Sequence, residues 1–175
     1  DVNDPIVVGS FYGGGVVFHL FVEADAGYIA GETHGLIAAV ADQSSGIQWR
    51  NGDTNQTTEA TGTAVGTGSA NTYAIITVQG ETETDYAAGL ARDYNGGGYT
   101  YWFLPSKDEL NLMYKNKATI NTTASANGGS DFADYYYWSS TEYDNDNAGG
   151  QYFDDGGQYY GSKFYASYVR AVRAF

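Results

Sequence analysis

Twenty-four glycines set against only two prolines cut this 175-residue chain into short apolar runs. None of the runs nears the length of about 18 residues that a membrane-spanning helix needs. With 17 tyrosines added, the pattern is one of many turns, many amphipathic rings and few helix formers, which points to β-rich structure with long loops. Hydrophobic residues make up 42%, enough for one packed core. The length is that of one ordinary domain, so residues 1–175 are expected to form a single unit.

Lysine and arginine total 8 against 21 aspartates and glutamates, a formal net charge of -13. Such a surface repels phosphate backbones and anionic lipid alike, so neither a nucleic-acid partner nor membrane insertion is expected. The chain has no cysteine, which removes thiol nucleophiles, thiolate metal sites and disulfide staples together. No basic-then-apolar leader precedes Asp1, as expected of a mature secreted chain, an excised domain or a protein exported by another route.

The first ten residues, through Pro5 and Val8, read as an opening strand, and the β-branched and aromatic run Val16–Val22 reads as the next. Gly35–Ala41 is a partner for it, so the two runs predict a hairpin. From Asn51 to Gly68 the sequence is almost wholly Thr, Gly, Asn, Asp and Ala and predicts a surface loop. Ser69 is placed to cap a helix through Tyr73, Ile75 and Ile76, and Asp85–Asp93 fits a second short helix. The sharpest local signal is Ser106-Lys107-Asp108-Glu109, a capping box just before Leu110, Leu112, Met113 and Tyr114; it predicts a helix from about Lys107 to Lys117. Tyr135–Thr141 reads as a buried strand, and Phe164–Phe175 as one or two closing strands.

Most chemical motifs fail on inspection. Gly13-Gly14-Gly15 is followed by a strand, whereas a phosphate cradle needs a helix N-terminus there. Asp144-Asn145-Asp146-Asn147 resembles the start of a calcium loop, yet Ala148 and Asp155 occupy positions where such a loop needs ligands. A structural Ca²⁺ held by scattered loop oxygens stays compatible with the carboxylate count; no cofactor is required. His19 and His34 lack a second imidazole at helical spacing, so neither marks a metal face. No G-x-S-x-G elbow occurs. Glu109 and Glu142 are the pair a glycosidase reading would use, but Glu109 already serves as the capping-box residue. Asn55 and Asn121 match the glycosylation acceptor pattern, which chance supplies in a Thr-rich chain.

The informative stretch lies between Glu142 and Val169. It is dominated by Tyr, Asp, Asn, Gly and Ser, punctuated by Gln151, Phe153, Gln158 and Lys163. Tyrosine gives a large, rigid contact area at low entropic cost, and Ser, Gly and Asn give adaptable hydrogen bonds; this is the chemistry of a paratope. The expected ligand-binding residues are Tyr143, Asp144, Asn145, Asp146, Asn147, Tyr152, Asp154, Asp155, Tyr159, Tyr160, Ser162, Phe164, Tyr165, Ser167 and Tyr168. Phe153 and about two of the tyrosines are expected to be core.

The genetic code sharpens this. Asparagine is encoded AAY, and changing its adenines while the final pyrimidine stays gives Tyr, Asp, Ser, Gly, Ala and Phe. Those types occupy residues 143–147, Gly149, Gly150, Tyr152, Asp154, Asp155, residues 159–162 and residues 164–168. Trp138, Gln151, Gln158 and Lys163 cannot arise in this way and are expected to be unvarying framework. Such a mosaic is what mutagenesis targeted to adenines leaves behind.

Five segments carry a resemblance: Tyr12–Phe18, His34–Ala39, Leu104–Leu110, Tyr137-Trp138-Ser139-Ser140-Thr141-Glu142 and Val169-Arg170-Ala171-Val172-Arg173. In this order, over about Phe11 to Phe175, they resemble the bacterial DUF1566 family, related to the C-terminal domain of a Legionella collagen-like adhesin. The resemblance implies an α+β domain of C-type lectin fold, with first and last strands paired, two helices flanking the sheet and long loops presenting a binding surface. The ending is similar to variable proteins of diversity-generating retroelements, whose lectin-fold C-terminal segment is rewritten at template adenines. On that basis the exposed part of residues 143–168 is the variable binding site, and Trp138, Ser139, Ser140, Phe153, Val169 and Val172 are scaffold. Formylglycine-generating enzymes share the broad fold, but their chemistry needs cysteines that this chain lacks. The expected protein is therefore a non-enzymatic binder of a protein or glycan ligand, extracellular, on a bacterial cell surface or a phage virion. An adhesin with one glycan target is the alternative.

Overall fold

Glycine-bounded runs become strands and the capped segment becomes a helix. The computed structural model describes residues 5–80 and 84–175. The strands are β1 (Phe11–Tyr12), β2 (Gly15–Leu20), β3 (Gly35–Ala39), β4 (Ser44–Ile47), β5 (Tyr136–Glu142), β6 (Asn147–Tyr152), β7 (Gln158–Ser162), β8 (Ser167–Val169) and β9 (Val172–Ala174). Between β4 and β5 come the helices α1 (Gly68–Gln79), α2 (Ala87–Asp93), α3 (Lys107–Lys115) and α4 (Lys117–Ala126). The fold is α+β. Part of the expected opening strand, residues 1–4, lies outside the described residues, and strand pairing begins only at Phe11.

Two sheets form, in the orders β1-β2-β3-β9 and β4-β8-β5-β6-β7. The expected hairpin is β2 with β3, paired through Val16↔Ala38 and Leu20↔Gly35. The last strand does not join the first: β9 pairs with β3, through Leu36↔Ala174 and Ala38↔Val172. The cause is in the sequence of β3, whose five residues are all buried. The backbone N–H and C=O groups of a strand so buried need partners along both edges, and β2 supplies only one. The expected closing strand splits at Arg170-Ala171, so β8 serves the second sheet and β9 the first.

Four α-helices, rather than the two that the resemblance implies, stand among the described residues. The capping box on α3 is complete: the Ser106 side chain accepts from the Glu109 backbone N–H, and the Glu109 carboxylate accepts from the Ser106 N–H at 2.7 Å. The same carboxylate reaches the start of α1, accepting from Gly66 N–H at 2.8 Å and more loosely from Gly68 N–H at 3.4 Å. This corrects the role expected of Ser69, which lies inside α1; Thr67 holds the capping position and makes no side-chain bond to the helix. A carboxylate at the positive end of α1 replaces the missing cap. Burial pushes the Glu109 carboxyl up, opposed by the N–H groups of Ser106, Gly66 and Gly68.

The core runs between the sheets and helices. Trp49, Trp102, Val17 and Ile37 pack with Trp138 and Val169, while Phe18, Leu36, Met113 and Phe132 pack with Tyr137, Phe153 and Val172. Ser139 and Ser140 are buried with them. All six residues expected to be scaffold are therefore inside.

Candidate functional site

The second sheet positions the site through an antiparallel meander, β5-β6-β7. Side chains alternate across β5: Tyr137 enters the core, and its neighbours Tyr136 and Trp138 turn to the other face. On β6 the partner of Trp138 is Gly150, and on β7 the partners of Gly149 and Gly150 are Tyr160 and Tyr159. The glycines make room. A Cβ on Gly150 would lie 2.5 Å from the Tyr136 ring, so only glycine lets that ring lie across the strand.

The result is a hollow of about 580 Å³ walled by Tyr135, Tyr136, Trp138, Tyr152, Tyr159, Tyr160, Tyr165 and Tyr168, with Gly161, Ala166 and Ser167 completing the lining. Its rings brace one another. Tyr135 and Tyr168 stack nearly parallel with centroids 5.3 Å apart, and Tyr136 meets Tyr152 edge-on at 4.9 Å. The Tyr136 hydroxyl donates to the carbonyl of Tyr159 at 2.8 Å, tying β5 to β7 across β6. Burial raises the Tyr136 phenol well above its ordinary value, so it stays protonated as a donor. Tyr152, Tyr159, Tyr160 and Tyr165 remain exposed.

Six of the expected ligand-binding residues thus meet at one place: Tyr152, Tyr159, Tyr160, Tyr165, Ser167 and Tyr168. Ser167, expected on the surface, is buried in β8 opposite Ile47 and contributes only wall. Tyr168 is half-buried between Tyr135 and the core ring of Tyr137. Tyr143 lies beside the hollow, stacked on Tyr160 with centroids 4.2 Å apart. Phe164 is exposed next to Tyr165 and under the Arg50 guanidinium. Asp154 and Asp155 stand in the exposed turn between β6 and β7, and Ser162 is a half-buried residue ending β7.

Asp144, Asn145, Asp146 and Asn147 form the turn between β5 and β6. Asp144 Oδ1 accepts from the backbone N–H groups of Asp146 at 2.8 Å and Asn147 at 2.7 Å. Chiefly the Asp146 N–H, seconded by those of Asn147, holds the Asp144 carboxyl below the usual carboxylate value. The calcium-like spelling of this loop therefore encodes a self-closed turn. Among the described residues no cluster of three or more His, Asp or Glu is arranged to hold a metal ion.

Beneath this surface sit the residues that adenine substitution cannot reach. Trp138 Nε1 donates to the carbonyl of Ile47 at 3.0 Å. Gln151 is fully buried and donates to Asn111 Oδ1 and the carbonyl of Gly156, each at 3.0 Å. Gln158 donates to the carbonyl of Lys107 at 2.9 Å. Lys163 is buried, with Nζ 2.5 Å from Glu142 Oε1, 2.8 Å from the carbonyl of Gln56 and 4.7 Å from the Trp49 ring centroid. Glu142 also accepts from the N–H groups of Thr58 and Glu59 at 2.9 Å. Glu109 and Glu142 are thus both occupied with main-chain donors, and both are buried.

Tyr135, Tyr136 and Trp138 are walls of the hollow that the sequence reading assigned to a buried strand. The period-2 alternation of Tyr136-Tyr137-Trp138 is the signal available for two of them, setting Tyr136 and Trp138 on the face opposite Tyr137; it does not reach Tyr135, which precedes β5.

Among proteins of known kind, the family model of the Lcl C-terminal domain matches residues 38–173. That span is narrower than the resemblance read from the sequence, because it leaves out the strands before Ala38. No curated protein matches the chain. The matched span holds both ends of the meander, the whole hollow and the buried Glu142–Lys163 pair, and it supports ligand binding of a surface-adhesin kind. Most of the molecule described above is this one module, and the chain belongs to the Lcl C-terminal domain family.

Proposed function

We propose that this domain is a non-enzymatic recognition module, displayed outside a bacterial cell, that takes its ligand at the tyrosine-walled hollow and varies the exposed residues around it. One observation carries the reading. Of the four residues that adenine substitution cannot produce, Trp138, Gln151 and Lys163 are buried and Gln158 is half-buried, while Tyr143, Asp144, Asp154, Asp155, Tyr159, Tyr160 and Tyr165, which it can produce, are exposed. A rigid frame with exchangeable side chains lets specificity change at little cost in stability. Gly149, Gly150 and Ser167 are exceptions: adenine substitution can produce them, yet all three are buried, and they belong functionally with the frame.

The absence of turnover is part of the proposal. Glu109 and Glu142, the carboxylates a glycosidase would need, are engaged by backbone N–H groups and by Lys163. Turnover lost on Glu142→Gln would overturn it. The diversified reading is tested in DNA: a neighbouring adenine-rich repeat of the coding segment for 143–168, with a reverse transcriptase gene, is expected. Their absence would favour the second reading, an adhesin with one glycan target stacked on the exposed rings.

A further inference from the structure

Eight of the eleven residues lining the hollow are Tyr or Trp, and none carries a charge. There is likewise no Asn or Gln in the wall, so a sugar would find phenol hydroxyls and ring faces but no carboxylate or amide to bond its paired hydroxyls. What the wall offers in quantity is the negative face of aromatic rings.

The segment that supplies the lining carries charge of the matching sign, although Asp134 is paired with Lys117. From Asp131 to Tyr168 the chain carries seven carboxylates and a single cation, Lys163, and that cation is buried against Glu142. Of the other cations, Lys107 reaches the rim at Tyr160 and Arg50 lies over Phe164, beside Tyr165. Arg170 lies 3.9 Å from the Phe132 ring centroid and Arg173 4.6 Å from that of Tyr99, so with Arg50 over Phe164 this fold pairs guanidinium groups with ring faces three times. Among the described residues only Tyr160, facing Lys107 at 5.5 Å, has a cation recorded over a ring of the hollow. The remaining rings have none.

We infer that the hollow receives a guanidinium group, the side chain of an arginine on a protein ligand. The inference rests on the hollow being the ligand site proposed above and names what enters it. An ammonium is compact and strongly hydrated and would need a carboxylate in the wall to replace its water. A guanidinium is planar and weakly hydrated, stacks on ring faces, and offers donors that phenol oxygens can accept. The volume of about 580 Å³ accommodates such a side chain with room for its neighbours. The net charge of -13 accelerates the approach of a cation and makes it salt-dependent.

The test is a titration of the ¹⁵N-labelled domain with N-acetyl-arginine N-methylamide, its uncharged isostere N-acetyl-citrulline N-methylamide, and a neutral methyl galactoside, each into the millimolar range. The expected result is saturable shifts at the amides of Tyr159, Gly161, Tyr165 and Ser167 with the arginine probe, about tenfold weaker binding of the citrulline probe, and weakening by added salt. Tyr165→Phe should keep the affinity, and Tyr165→Leu should lose about five- to tenfold, the size of one partly desolvated cation–ring contact. Tyr165 is exposed, so an unchanged melting curve will separate this loss from misfolding. Equal binding of the citrulline probe, or tighter binding of the galactoside at these amides, overturns the guanidinium inference and leaves the hollow as the site. Shifts with no probe at all, or only at distant amides, overturn both.

Discussion

Lys163 Nζ stands 2.5 Å from Glu142 Oε1 with neither side chain in solvent, one residue beyond the strand that carries Tyr159 and Tyr160. Through Glu142 the pair also holds the backbone of Thr58 and Glu59, and through Lys163 that of Gln56. One buried ion pair thereby fastens the long loop after Asn51 to the sheet that forms the hollow.

Removing one partner should be far costlier than an exposed lysine would suggest. Lys163→Met leaves a buried carboxylate without its cation, and an unfolding free energy lower by about 3–5 kcal/mol is expected. Urea denaturation measures it. A midpoint equal to that of the parent would show that Glu142 is satisfied by the N–H groups of Thr58 and Glu59 alone.

The exposed rings should behave oppositely. Tyr159, Tyr160 and Tyr165 are 58%, 45% and 57% exposed, so replacing all three by Ala should abolish ligand binding and leave the melting temperature within a few degrees. A fall of many degrees in calorimetry would mean that the rings hold the sheet together.

Glycines of the meander should divide into two kinds. A Cβ at Gly150 would meet the Tyr136 ring and the Tyr137 carbonyl at 2.5 Å, whereas one at Gly161 would come no nearer than 3.4 Å to Trp138. Gly150→Ala is expected to cost about 1–3 kcal/mol by overpacking, and Gly161→Ala to be nearly neutral. Paired thermal melts decide; the reverse order would refute the packing argument.

Acid should open the turn between β5 and β6. The folded Asp144 carboxyl titrates below its ordinary value because backbone N–H groups, that of Asp146 foremost, bond its charged form. The contribution is complete above the ordinary carboxylate value and is lost as pH falls through the depressed folded one. NMR titration of the Asp146 and Asn147 amides should show this, and Asp144→Ala should remove the inflection at every pH.

What could be read from the chain was local. The α3 capping box lies within four consecutive residues, and the structure has it complete. The β2–β3 hairpin, the loop before α1 and the burial of Trp138 and Phe153 follow from patterns along short runs, whereas Val172 is expected inside only from the family resemblance. The start of α1 was not legible because its N–H groups at Gly66 and Gly68 are met by a carboxylate 43 and 41 positions away. The site divides in the same manner. Composition pointed to Tyr152, Tyr159, Tyr160 and Tyr165, but the opposing wall comes from β5, brought near by strand pairing. Tyr135 and Tyr136 therefore looked like core. Ser167 erred the other way, since its codon class says nothing about its place in an inner strand.

Several donors beneath the hollow share one habit. The indoles of Trp49 and Trp138 address the carbonyls of Ser139 and Ile47, Lys163 addresses that of Gln56, and Gln158 that of Lys107. Every amino acid has that oxygen. Homologous chains can therefore change spelling at positions 47, 56 and 107 without orphaning these donors, provided the main chain follows the same path; position 139 is held besides by its hydroxyl, which accepts from the Thr141 N–H at 3.2 Å. The framework checks where the backbone runs rather than which residues it is made of, so drift in these supporting positions can proceed independently of change in the rings above.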